Sequence, residues 1–243
     1  MNATKSSAAM SKSGSAPITT DSRIGAAIIM LSGGRRIEAM RTHGLAESTT
    51  YANLHAVALA ITLCPELDVT YDLTEAGLKE RAAGFKKMSL PGLFEYAVDS
   101  IAGLAIRIAA PKKKEVKNVV RFFSGSKKTH CLNLQGVGGP DLLFSTYTCK
   151  HVGSTNDADA FENSSLKQLN EALPFPYHWV GDAAYTGTEC LMIPYAGSDL
   201  HVTCPPQEWF NFWHSQIRIT IERIFGIFIM RWGIFYLLGP FTI

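Results

Sequence analysis

A mixed α/β fold follows from three features of this chain. Period-two alternation of apolar residues sets in near residue 95, a helical stretch interrupts it, and a long apolar helix comes late. Strand, strand, strand, helix, strand, then helix is the order expected of a sheet flanked by helices. With 243 residues and 47% hydrophobic content, the chain can fill a real core, which excludes wholesale disorder.

The first elements are helical. Ile24 to Leu31 is apolar and closes at Ser32-Gly33-Gly34; Arg35 to Thr42 follows and stops at Gly44, a C-cap residue. Glu47-Ser48-Thr49 supplies N-cap residues for a helix over Thr50 to Leu63, with Tyr51, Leu54, Val57, Ala58 and Ile61 in one stripe. Helix, glycine turn, helix fits a helix-turn-helix and equally a plain helical hairpin. Only Asn53 and His55 offer base-edge donors on its second helix. Cys64-Pro65 ends that region, and Leu73 to Phe85 forms a further amphipathic helix.

The strands come next. Leu104 to Ile108 alternates, as does Cys131 to Val137, which stops at a turn over Gly138 to Asp141. Leu142 to Cys149 is a third β-rich run. Gly153 to Asp157 precedes a helix through Leu169, and Tyr177 to Val180 is a fourth strand ending at Gly181-Asp182. Gly136-Val-Gly138-Gly139 leads into a strand, not a helix, so a dinucleotide or phosphate-loop role is excluded.

Charge is uneven beneath a net +2: Arg107, Lys112, Lys113, Lys114, Lys117, Arg121, Lys127 and Lys128 face the single acid Glu115 in one segment. Such a run is either a solvated loop or a patch for phosphates. Five scattered cysteines without CxxC spacing exclude a disulfide framework or zinc ribbon and suggest a reducing compartment. Residues 1–22, rich in Ser, Thr, Ala and Lys, read as a flexible tail without a signal-type apolar core. The apolar run from Ile224 to Ile243 is broken by Arg231, three glycines and Pro240, so no membrane span is expected.

The late helix, Gln207 to Phe228, carries the chemistry. On its apolar background Asn211, Ser215, Arg218 and Glu222 recur at helical spacing as one narrow polar stripe. Arg218 and Glu222 either pair on a solvent face or turn toward a metal and a phosphate. Asp182 ends a strand, where open sheets place ligand groups. Two such carboxylates can share divalent cations that clamp a phosphodiester, and Mg²⁺ or Mn²⁺ suits oxygen ligands. Asp157 reads as a helix N-cap on its own.

Gly153-Ser-Thr-Asn-Asp157, Gly181-Asp182-Ala-Ala-Tyr185, Pro194-Tyr195 and Phe210-Asn211…Ser215…Arg218…Glu222-Arg…Phe225-Gly226 resemble the DDE endonuclease domain of PIF/Harbinger-type transposases. Upstream, Cys64-Pro-Glu-Leu, Ala82-Ala-Gly-Phe85, Pro91-Gly and Gly103-Leu-Ala-Ile-Arg-Ile108 fit the same pattern, so the resemblance runs from about residue 25 onward. It implies a ribonuclease-H-like mixed sheet flanked by helices over 91–243, behind a helix-turn-helix-like region over 23–90. It further implies Asp182 and Glu222 as catalytic metal ligands with Asp157 in support, and a divalent-metal-dependent cut followed by strand transfer. DNA is the implied partner, contacted by Arg218 and by Lys112, Lys113, Lys114, Lys117, Arg121, Lys127 and Lys128. The resemblance leaves room for a separate DNA-binding protein and for a homo-oligomer, and implies a nuclear location.

Two positions depart from the pattern. The family's first aspartate falls on Ala102, and a customary lysine falls on Ile229. Asp99, three residues earlier on a strand, faces the other way unless a bulge intervenes. Cleavage is therefore expected to be severely impaired. The competing expectation is a domesticated or decaying copy that only binds DNA or protein.

Overall fold

The computed structural model describes residues 17–89, 93–197 and 205–235. The tail expected over 1–22 lies outside the described residues up to residue 16, as do Pro91-Gly92 and the last part of the apolar run toward Ile243. The described residues divide into two compact units, one running to Asp68 with Trp232–Ile234, the other reaching from Val69 to Arg231 with Phe235.

In the first unit α1 (Thr20–Leu31) starts at Thr19, whose side chain accepts from the Ser22 amide. It packs with α2 (Arg36–His43) and α3 (Glu47–Thr62) over Ala26, Ala27, Met30, Ala39, Leu45 and Leu54. Gly44, at φ 62° and ψ 35°, ends α2 in the left-handed conformation that glycine adopts without a Cβ penalty. The expected α3 stripe is only partly used: Leu54 is buried, whereas Tyr51 and Ile61 are exposed. Asn53 is buried instead, and its carbonyl accepts from Arg23 at 3.0 Å.

The second unit begins with α4 (Glu75–Lys86), capped by Thr74, with Leu78, Ala82 and Phe85 buried at helical spacing. Then come β1 (Ala97–Arg107), β2 (Phe123–Ser124), β3 (Thr129–Gly138) and β4 (Phe144–Val152). The helices α5 (Asp157–Glu162) and α6 (Ser165–Glu171), the strands β5 (His178–Val180) and β6 (Leu191–Met192), and α7 (Pro205–Arg231) complete it.

Several elements differ from the sequence expectation, most of all in the sheet. β1 starts at Ala97, because Ala97 to Ala102 is buried throughout and a doubly covered strand shows no alternation. The helix expected through Leu169 breaks at Asn163, and Ser164 caps a new one by accepting from the Leu166 amide. β2 and β6, at two residues each, are too short to show a period.

The six strands form a mixed sheet in the order β2-β3-β1-β5-β6, with β4 also on β3. β1 lies antiparallel to β3 and parallel to β5. This is the ribonuclease-H-like mixed α/β arrangement. One face packs Val98 and Ile101 against Leu78 and Ala82 of α4, Phe161 of α5, Leu166 of α6 and the Trp179 ring. The other packs Ala102, Ile106 and Leu134 against Ile221, Ile224 and Phe225 of α7. Each such aliphatic side chain, fully buried, stabilises the fold by about 1.5–3 kcal/mol.

Candidate functional site

Asp182 follows β5 directly. Gly181 donates to the Met192 carbonyl at 2.9 Å, which holds the turn against β6. A Cβ on Gly181 would press on Tyr185, Leu191 and Ile101, so a side chain before Asp182 would fit only if these three gave way slightly. The half-buried Asp182 accepts from the Ala184 amide at 2.9 Å through Oδ1.

α7 lies against the same strand end. Its His214 is buried, with Nε2 3.2 Å from the Met192 carbonyl oxygen. Burial holds this imidazole below its ordinary value and Arg218 adds to the effect. The Met192 and Gly181 carbonyls and the Asp182 carboxylate oppose it. One turn beyond His214, Arg218 meets Glu222 at 2.6 Å, and about half of the Glu222 side chain is exposed.

The polar stripe of α7 is thus divided among different tasks. Asn211 clamps the backbone of Tyr195, donating to its carbonyl at 3.0 Å and accepting from its amide at 2.9 Å. Ser215 donates to its own helix at the Phe212 carbonyl. Only Arg218 and Glu222 remain as a charged pair on the outer side of the stripe.

Ala102, where the resemblance leads one to expect the first acid, is an apolar side chain in an apolar setting. Ala102 is 7% exposed and packs in the cluster of Ile221, Ile224 and Phe225. A bulge does occur in β1, but between Ala97 and Asp99, upstream of both residues of interest. From Asp99 onward alternation is regular, so Asp99 points to the α4 side and Ala102 to α7. Asp99 is fully buried and accepts from Tyr71 at 2.6 Å, from Arg81 at 3.0 Å and from Ser145. Burial pushes its carboxyl up, and Arg81, Ser145 and Tyr71 counter that push.

Asp157 lies on the same face as Asp99. Its Oδ1 accepts from Asn133 at 2.9 Å and from Gln135 at 2.8 Å, and a Cβ on Gly103 would strike this carboxylate. Asn156, not Asp157, caps α5, by accepting from the Asp159 amide at 2.7 Å. Gln135 in turn accepts from the Tyr185 hydroxyl at 2.6 Å. Burial keeps that phenol protonated well above its usual range, reinforced by Asp157 and Asp182. One network therefore runs from Asp157 through Gln135 to the loop that carries Asp182.

Sequence reasoning overlooked Gln135, Tyr185 and His214 as parts of this centre. The alternation of Asn133 and Gln135 against Leu132 and Leu134 was the available signal, although it reads as a solvent face. Gln135 is instead wholly buried. The basic residues Lys112, Lys113, Lys114, Lys117, Arg121, Lys127 and Lys128 are all exposed, on the segment between β1 and β3.

Oxygen donors such as Asp182 and Glu222 have the chemistry for Mg²⁺ or Mn²⁺. Among the described residues, however, no three His, Cys, Asp or Glu side chains gather at one point. Asp157 is held on the other face of β1 from the Ala102 side chain, and no carboxylate takes the Ala102 position. The donors present do not complete a site for a metal pair.

A mixed sheet with a carboxylate at the end of β5 and a long helix crossing one face defines a ribonuclease-H-like domain. The chain belongs to the DDE superfamily endonucleases: the model of the family so described matches residues 101–242, more than half its length. No curated protein and no solved structure matches it. Members of this endonuclease family depend on divalent metal, and their chemistry implies contact with DNA. Among the described residues no helix is long and apolar enough to cross a membrane.

Proposed function

We propose that this chain is a PIF/Harbinger-type, transposase-derived protein that engages DNA in the nucleus and whose phosphodiester cleavage is severely impaired. The observation that carries this reading is Ala102, a methyl packed among Ile221, Ile224 and Phe225 where the family's first carboxylate falls. Asp182 and Glu222 remain as the catalytic acids of an incomplete set. Loss of one metal-bridging ligand is expected to cost about 4 kcal/mol or more of transition-state stabilisation, about a thousandfold in rate.

DNA binding is supported by the exposed basic segment from Lys112 to Lys128 together with Arg218. Base-specific reading by α3 has little support, because Asn53 is buried and engaged by Arg23. A separate DNA-binding protein would then supply target choice.

The test is nicking of supercoiled and linear DNA by the full chain with Mg²⁺ or Mn²⁺. Wild type is expected to stay at background, and Ala102→Asp to gain metal binding or cleavage. Nicking by wild type that Glu222→Ala abolishes would overturn the proposal. A second reading, favoured by the same buried methyl and by Ile229, is a purely binding role. Duplex binding that survives EDTA and falls steeply with salt, with no cleavage by either protein, supports it.

A further inference from the structure

A cleft of about 430 Å³ opens on the face of the sheet opposite α7. Its walls are the backbone of β1 at Gly103 to Ala105, the β2 turn from Phe123 to Lys127, Asn133 of β3, and the loop that ends at Asp157. Ala184, two residues past Asp182, closes one side. The volume lies in the range of small-ligand sites, roughly 300–1,000 Å³, and is far too small for a duplex.

Three side chains give the cleft its character. Phe123 is 40% exposed, held edge-on to His130 at 5.4 Å between centroids. Lys127 is exposed and forms no ion pair among the described residues. Asp157 has Oδ1 fixed by two amides, whereas Oδ2 has no hydrogen-bond partner among the described residues. A half-exposed ring, a cation and an oriented carboxylate acceptor match the three parts of a nucleotide: base face, phosphate, and base-edge amino or imino group.

We propose that this cleft takes one unpaired nucleotide of a DNA substrate, its base stacked on Phe123 and hydrogen-bonded to Asp157, its phosphate at Lys127. The proposal rests on the DNA-binding reading above and adds a site to it. Gln135, bonded to both Asp157 and Tyr185, links the cleft's carboxylate to the loop that carries Asp182.

The test measures binding of the full chain, in EDTA, to two labelled duplexes that differ only by one unpaired cytosine. Wild type is expected to favour the duplex with the unpaired base about tenfold, the scale of one base–aromatic stack. Phe123→Ala should remove that preference and leave binding of the paired duplex unchanged, and Phe123→Tyr should keep it. Equal binding of both probes by wild type, or a preference that survives Phe123→Ala, overturns the cleft assignment alone. No binding of either probe overturns the DNA-binding reading, and the cleft with it.

Discussion

Asp99 and Ala102 sit three residues apart on β1, and their side chains enter opposite faces of the sheet. Asp99 joins Tyr71, Arg81 and Ser145, while Ala102 joins the apolar side of α7. Asp99, three residues before Ala102, is therefore a structural ion-pair partner on the α4 side of the sheet.

Asp99→Asn is expected to lower the unfolding free energy by about 3 kcal/mol, because it leaves the Arg81 guanidinium without its buried counter-charge. Urea denaturation measures the loss. A change below about 1 kcal/mol would mean that Asp99 is already protonated in the folded chain, so that the amide is a near-isostere.

Gly103→Ala should destabilise the second unit by about 1–3 kcal/mol, the usual range for overpacking. The added methyl meets the Asp157 carboxylate and the Gln135 amide, so Asp157 must leave its place against β3. Thermal unfolding reads the stability. Loss of the unpaired-base preference in the same variant would tie Asp157 to the cleft.

Stability should fall on mild acidification. Burial leaves His214 below its ordinary 6.5, so the unfolded chain binds a proton that the folded chain does not. Its contribution is complete above about pH 6.5 and is lost as pH drops toward the folded value. His178 shifts in the same direction for the same reason. The expected result is a level unfolding midpoint above about pH 7 and a decline below about pH 6. His214→Gln should flatten part of that decline, and an unchanged slope would show that His214 is not responsible.

Arg218→Ala should barely alter stability, because half-exposed ion pairs contribute well under about 1 kcal/mol. DNA affinity is expected to drop, with the salt dependence shallower by about one counterion. A large fall in unfolding midpoint would instead make the Arg218–Glu222 pair a structural clasp.

Much of the architecture is legible in the residues because it depends on local periodicity. α4 and α7 announce themselves through Leu78, Ala82 and Phe85, and through Ile217, Ile221 and Ile224. β3 shows its alternation. The first half of β1 stays hidden, since Ala97 to Ala102 is buried on both faces and Asp99 and Ser100 break any apolar alternation. The break at Asn163-Ser164 is equally obscure, because a serine cap competes with helix continuation only once tertiary packing holds both sides.

By itself the sequence determined that a mixed α/β domain carries Asp182 at a strand end and Glu222 on a late helix. Those statements depend on residue type and spacing along one chain; the expectation of an acid at Ala102 came from the family resemblance. Tertiary structure alone decided that Arg218 and Glu222 pair with each other and that Asp157 is held by Asn133 and Gln135. It also decided that the cleft beside Phe123 opens away from α7. Such partnerships join residues on separate elements, or choose between open local alternatives. They are settled by which face of the sheet each side chain enters once the strands are in register, and no local pattern records that.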